Sequence, residues 1–456
     1  MTWDVELATK ISGGVRTDEI SRWAAATDFG RVIERTPLGV VRPASSQDVC
    51  EIVKFAGDHS MRLAIRGAGH SQNGRSLSDQ IVLDLRGLDR ITNIDVERRT
   101  VTCQAGATWR ALLDKITPLG LSPPVLTNNL DVTVGGTLST GGLGVASWRY
   151  GTQADQCSEV EVITGDGRRR RCSPVGENGL FEAVRAGLGQ FGVITEVTLK
   201  LRKHTSKFHS AYLLYDNLPA LLGDLAKLMA EERFDYLESW CVPVPQGFST
   251  SGGVKRPCVE WFYPLHCTLE TDGLNPEQLA TSLAGLSYYR HTHTETGGIE
   301  EFFTRLDPLF GLWKAGGFWE HAHPWVEGML PWSAAASCIS ALLERIPPSM
   351  LTGGHILLWP ARGRATSVPL LMRPATELVL GFGILPAVPP RFLPAVLPTL
   401  REASRAIVSA GGKRYASGWL DFDRTDWEAH YGPQLPRVER FKREFDPKGV
   451  FGDPLW

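Results

Sequence analysis

Short apolar runs separated by turn residues open the chain's readable part. LGVVRP (38–43) is strand-like, SSQDVCEIVKFAGDH (45–59) has a Ser/Asp start and apolar residues at a spacing near 3.6, and MRLAIRG (61–67) returns to strand. This predicts a β-α-β opening. IVLDLRGL (81–88), ITNIDVE (91–97) and RTVTCQAGA (99–107) follow as strands, then TWRALLDKITPLG (108–120) as an amphipathic helix. Beyond a glycine-rich passage, SEVEVITGDGRRRRCS (158–173) reads as a hairpin turning at Gly165-Asp166-Gly167, and VITEVTLKLR (193–202) as another strand. From residue 206 to 410 strands alternate with longer helices, clearest in LPALLGDLAKLMAEE (218–232) and FLPAVLPTLREASRAIVSAGG (392–412). The proline-rich VPVPQG (242–247) and LPAVPPRFLP (385–394) read as loops. The aromatic and basic tail from Trp419 onward suits a segment that packs back on the first part of the chain.

The pattern therefore predicts two units in an α+β arrangement, and 456 residues are ample for that. Apolar residues at 43% and charged residues at 21% describe a globular enzyme-like chain. A formal charge of −2 argues against a nucleic-acid partner. No apolar run is long enough to span a membrane, and the start MTWDVELATKISGG has no signal-peptide character. The eight Cys form no C-x-x-C pair, which fits a reducing compartment, and the expected location is the cytoplasm. Fourteen Trp fit either a flat aromatic ligand or a large core.

Three glycine clusters carry candidate chemistry. Gly187-Leu-Gly189-Gln-Phe-Gly192 matches G-x-G-x-x-G, but a helix precedes it and a strand follows, the reverse of a nicotinamide-binding fingerprint. Arg66-Gly67-Ala68-Gly69-His70-Ser71 follows a strand, where backbone N–H groups can approach an anion; an ordinary tight turn is the rival reading. Thr133-Val-Gly135-Gly136-Thr137-Leu-Ser139-Thr140-Gly141-Gly142 combines glycines and hydroxyls that could wrap the other side of a dinucleotide. The four arginines at 168–171 read as a solvated turn. His291/His293 and His321/His323 are paired without a third ligand at suitable spacing, so no metal site is expected.

The segments RGAGHSQNG (66–74), TVGGTLSTGGLG (133–144), YGTQADQCSEVEVITGDG (150–167), GLGQFGVIT (187–195) and FDPKGVF (445–451) together resemble the vanillyl-alcohol oxidase superfamily. Its hallmark is a PCMH-type FAD-binding domain. Among its members the chain resembles the cytokinin dehydrogenases most and the berberine bridge enzyme group next. The resemblance implies an FAD-binding domain from residues 1–205, a substrate domain built on an antiparallel sheet flanked by helices from 206–411, and a return segment from 412–456. It implies FAD bonded covalently to His70. A second link through Cys is not expected, because Asp131 stands in the segment where some relatives carry it.

On the same grounds the cofactor would be held by Arg66, Gly67, Ala68, Gly69, Ser71, Asn73 and Gly74, by Thr133, Gly135, Gly136, Thr137, Ser139, Gly142 and Leu143, by Gly192, Val193 and Ile194, and by Tyr415. The position that matches the cytokinin dehydrogenases' catalytic Asp holds Asn128, an amide that cannot accept a proton near neutrality. Asp131 and Glu260 are the remaining carboxylate candidates, and Trp319 matches a pocket tryptophan. Leu309 and Phe310 make the expected pocket apolar. The expected reaction is oxidation of a C–N or C–O bond in a small apolar or aromatic molecule, with oxygen or another electron acceptor reoxidising the flavin. A secondary-metabolism oxidase or oxidative cyclase, or a redox-neutral cyclase or binding protein with a structural flavin, are the alternatives.

Overall fold

A computed structural model describes residues 2–273 and 276–452. The helix Ser46–Asp58 starts where Ser45 Oγ accepts the Asp48 N–H, and it buries Val49, Ile52, Val53 and Ala56 along one stripe. The two strands it links, Gly39–Arg42 and Leu63–Arg66, are not neighbours. Ile81–Asp84 lies between them, parallel to both, and Gly14–Arg16 closes the outer edge of this four-stranded sheet.

A second sheet is antiparallel and five-stranded, in the order Ile91–Asp95, Thr100–Gln104, Val193–Lys200, Cys157–Ile163, Arg169–Cys172. The hairpin between its last two strands turns at Gly165–Gly167, where Asp166 Oδ1 accepts from Thr164 Oγ1 and the Arg168 N–H. Gly167 takes φ +73°, a left-handed conformation that glycine adopts freely.

The third sheet has eight antiparallel strands: Arg290–Gly298, Lys207–Tyr215, Val254–Glu270, Tyr236–Ser251, His355–Arg362, Leu378–Leu385, Val326–Pro331 and Lys413–Arg414. Helices Leu218–Glu231, Trp332–Leu343 and Leu393–Ser409 cover one face, burying Leu225, Ile339 and Ile407 against Leu265, Leu358 and Phe382. The opposite face at His355, Leu357 and Trp359, alternate residues of one strand, looks into a cavity.

VPVPQG is not a loop: it continues the strand Tyr236–Ser251. Past Cys241 that strand has a partner on one side only, so Pro243 and Pro245 can direct their missing N–H groups to an open edge. The tail begins as the edge strand Lys413–Arg414 of the large sheet. Only later does it reach the first sheets, where helix Leu435–Phe445 meets helix Asn178–Val184 and the Leu63 N–H donates to Val450 O. Among the described residues no helix is long and apolar enough to cross a membrane.

Candidate active site

The cavity lies where the loops of the first sheets face the open side of the large one. Directly after strand Leu63–Arg66, the backbone N–H groups of Gly67 through Asn73 donate to no acceptor among the described residues. Gly69, at φ +72°, supplies the left-handed turn that gathers successive N–H groups into an anion-binding concavity. Gly67 permits contact with the second loop, since a Cβ there would stand 2.1 Å from Thr133 Oγ1.

Buried Asp28 braces this loop from behind, accepting from Ser71 Oγ and the Gly74 N–H, both at 2.9 Å. Burial raises the Asp28 pKa. Arg66, behind the loop, has a buried Nη1 without a partner, and its guanidinium fills the space beside Gly69. Gly74 and Val193 likewise support the loops without lining the cavity.

The hydroxyl-rich cluster behaves differently from the first. Val134–Leu138 forms a short helix; Thr133 Oγ1 caps the Gly136 N–H, and Ser139 and Thr140 bond back to Gly135 O and Thr137 O. These groups line the cavity, but most of their hydrogen bonds close the helix itself. Gly192 and Ile194 line it from the five-stranded sheet.

His70 sits in the middle of the N–H-rich loop, half-buried, with its open side on the cavity. Its ring stacks on Phe29 at 4.0 Å and 15°, and Phe29 stacks on His323 at 4.0 Å and 9°. Desolvation, and secondarily His323, holds the His70 pKa down to about 4, which leaves the imidazole neutral and nucleophilic near pH 7. Trp319 lies 6.2 Å from His70, ring to ring, and packs edge-on to Phe310. The His321 and His323 Nδ1 atoms are engaged with Ala387 O and Phe29 O. No group of three or more potential metal ligands occurs among the described residues.

Across the cavity Asn128 joins a closed polar triangle. Its Nδ2 donates to Glu238 Oε1 at 3.1 Å, Arg305 Nη2 donates to Asn128 Oδ1 at 3.1 Å, and Arg305 Nη2 and Nε both reach Glu238 Oε2. Glu238 and Arg305 are the polar residues that sequence reasoning missed. The signal was a lone carboxylate within the strand YLESWC, on the Tyr236/Trp240 face.

Asp131 and Glu260 do not join the cavity lining. Asp131 is exposed and held by Arg110 at 2.6 Å, while Glu260 lies exposed on the ribbon opposite Val244. Arg110 also grips Asp307 with two bonds, pinning the helix Asp307–Ala315 that supplies Leu309, Phe310 and Trp313 to the wall.

On the return segment Tyr415 is buried with its hydroxyl accepting from the Gly142 N–H, and desolvation pushes its pKa up to about 12. Asn73 Nδ2 donates to Ala416 O, tying the first loop to the return segment. Beside them Glu327 opens onto the cavity. Burial raises its pKa to about 7, against the opposing pull of the Ser417 hydroxyl, which donates to Oε2 at 2.7 Å, and of Arg414.

Residues 37–173 match the family described as FAD binding domain, and residues 261–453 match the family described as cytokinin dehydrogenase 1, FAD and cytokinin binding. The chain is 29% identical over 439 residues to an uncharacterized oxidoreductase, ORF5 in the fasciation locus, of Rhodococcoides fascians, covering 96% of this chain and 97% of that protein. It is 28% identical to cytokinin dehydrogenase 8 of Oryza sativa subsp. indica, over 94% of this chain and 90% of the relative. Cytokinin dehydrogenase 3 of Oryza sativa subsp. japonica is 27% identical over 94% of this chain and 88% of its own length. The unpaired N–H groups at 67–73, the neutral His70 and the apolar walls make a donor set that suits a pyrophosphate joined to a flat ring system.

Proposed function

The chain belongs to the PCMH-type FAD-binding superfamily, near the cytokinin dehydrogenases, and on that premise we propose that it oxidises a C–N or C–O bond of a small, mostly apolar or aromatic molecule. Bound FAD supplies the two-electron acceptor, and oxygen or another acceptor renews it. In this reading residues 1–205 and 412–456 form the FAD domain and 206–411 the substrate domain.

The chain's own residues have separable tasks. Gly67 through Asn73 offer their N–H groups to the pyrophosphate. His70 would hold the flavin through a single covalent link, its ring aligned by Phe29. Phe310, Trp313 and Trp319 exclude water from the substrate, and the Asn128–Glu238–Arg305 triangle orients its polar atom. Asn128 cannot take a proton, so oxidation of a cytokinin would need its acceptor elsewhere.

The observation that carries this reading is the neutral His70 facing the cavity at the middle of seven N–H groups that are unpaired among the described residues. Purified protein precipitated with acid tests the link: yellow colour stays with the polypeptide, and in His70→Ala it passes to the supernatant. Anaerobic mixing with a panel of cytokinins, benzylic amines and benzylic alcohols tests the reaction by bleaching of the flavin band. Turnover without bleaching would replace it with a redox-neutral reading.

A further inference from the structure

Two carboxyls line the cavity among the described residues, Glu238 and Glu327. They stand on the same face of the eight-stranded sheet. Glu327 is paired with Gly383, Gly383 with Leu357, and Leu357 with Trp240, so one row crosses four strands. Glu238 lies in the neighbouring row, across that same span, which is roughly 14 Å at the usual strand spacing.

Their surroundings differ in kind. Both Glu238 oxygens are occupied, one by the Asn128 amide and the other by two Arg305 N–H groups, and the side chain is only 5% exposed. A proton arriving there would break a buried ion pair. Such a carboxylate is a fixed anchor.

Among the described residues Glu327 has no ion-pair partner within 4 Å. Ser417 Oγ binds one of its oxygens and, among the described residues, the other has no hydrogen-bond partner, while the residue opens on the cavity. Arg414 is near, but its guanidinium is spent on the backbone carbonyls of Glu327 and Trp419 and on Ser404 Oγ. Arg75, His70, Tyr415 on the return segment and His355 on the same sheet face line the same cavity, and desolvation keeps His70, Tyr415 and His355 uncharged near neutrality. Trp325, two residues before Glu327, lies 6.2 Å from His70 ring to ring, so this carboxyl stands at the tethering end of the cavity.

We propose that Glu327 accepts the proton that leaves the substrate's nitrogen or oxygen during oxidation, the task Asn128 cannot perform. The assignment rests on the FAD-dependent reading above. The substrate's C–H bond breaks with its electron pair passing as hydride to the flavin. The adjacent N–H or O–H bond breaks with its proton passing to the open Glu327 oxygen, and its electron pair completes the C=N or C=O bond of the product. Glu238 and Arg305 hold a second polar atom.

The test uses holoenzyme and the panel compound that bleaches wild-type flavin fastest under anaerobic conditions. The wild-type bleaching rate is expected to rise with pH through an inflection near 7. Glu327→Gln is expected to slow bleaching at least 100-fold and erase the inflection, with flavin content unchanged. Ser417→Ala removes a donor that favours the ionised carboxyl, so its inflection moves upward with the plateau rate retained, and this variant serves if Glu327→Gln does not fold. A Glu327→Gln rate within threefold of wild type, or a Ser417→Ala inflection that stays in place, overturns the assignment while the redox reading stands. If no compound bleaches the wild type, the redox reading falls and takes this assignment with it.

Discussion

Phe29 and His70 lie face to face, ring centroids 4.0 Å apart and 15° from parallel, although 41 positions separate them in the chain. Phe29 is held in turn by the large sheet's side of the molecule, because the His323 N–H donates to Gly30 O and His323 Nδ1 meets Phe29 O. The imidazole that would carry the flavin is thus aligned from the opposite wall. Phe29→Ala is expected to cost about 3 kcal/mol of stability. It should also lower the fraction of flavin that stays with acid-precipitated protein. Phe29→Tyr keeps the stack and should keep that fraction; equal flavin retention in Phe29→Ala and wild type would refute the alignment.

His323 gives a pH dependence with a defined sign. It is fully buried, its Nε2 has no hydrogen-bond partner among the described residues, and desolvation lowers its pKa to about 4, against an ordinary 6.5. Between those values the unfolded chain binds the proton and the folded one does not. The stability associated with neutral His323 is therefore complete above pH 6.5 and lost as pH falls towards 4, by on the order of 3 kcal/mol. Urea midpoints across that window should fall for wild type and fall less steeply for His323→Phe, the remaining slope coming from other buried imidazoles such as His70 and His355. Parallel curves for the two proteins would rule out His323 as the source.

The cofactor side of the site was legible because its pieces are contiguous. Strand, glycines and His70 follow one another within a few residues, and a backbone nest needs no distant partner. The substrate side depends on pairings that a linear pattern does not contain. Asp131 looked available until Arg110, 21 positions earlier, proved to hold it. Glu238 is a single charge in a strand that sequence reasoning did not single out, and only its position opposite Asn128, 110 residues away, makes it part of the site. VPVPQG read as a loop because proline breaks ladders, and whether an edge stays open is decided by where a neighbouring strand stops.

Asn128→Asp tests the polar triangle. It would set a second carboxylate against Glu238 Oε1, now 3.1 Å from the Asn128 amide, with Arg305 as their shared counter-ion. One of the two acids then keeps its proton above the unfolded value near 4. The variant should match wild type at low pH and lose stability as pH rises past that value, by about 1–2 kcal/mol at neutrality. Denaturant midpoints at pH 4 and 7 read this directly. A gap that does not widen with pH would mean that Arg305 neutralises both groups.

Gly381→Ala tests whether the cavity floor is set by one ring. A Cβ at Gly381 would fall 1.9 Å from Trp359 Cε2 and 2.1 Å from its Nε1, so the indole lies directly on the glycine. Gly381 is not among the glycines with positive φ, and its backbone tolerates alanine; the cost is steric alone. The ring, which lines the cavity, must shift to make room. Gly381→Ala should lose about 1–3 kcal/mol by overpacking, and bind bleaching substrates more weakly. Trp359→Leu removes the obstacle at the price of a cavity, so in the double variant the alanine should cost little further stability. Unfolding free energies of the four proteins give the coupling. Additive losses would show that the strand shifts and the indole stays where it is.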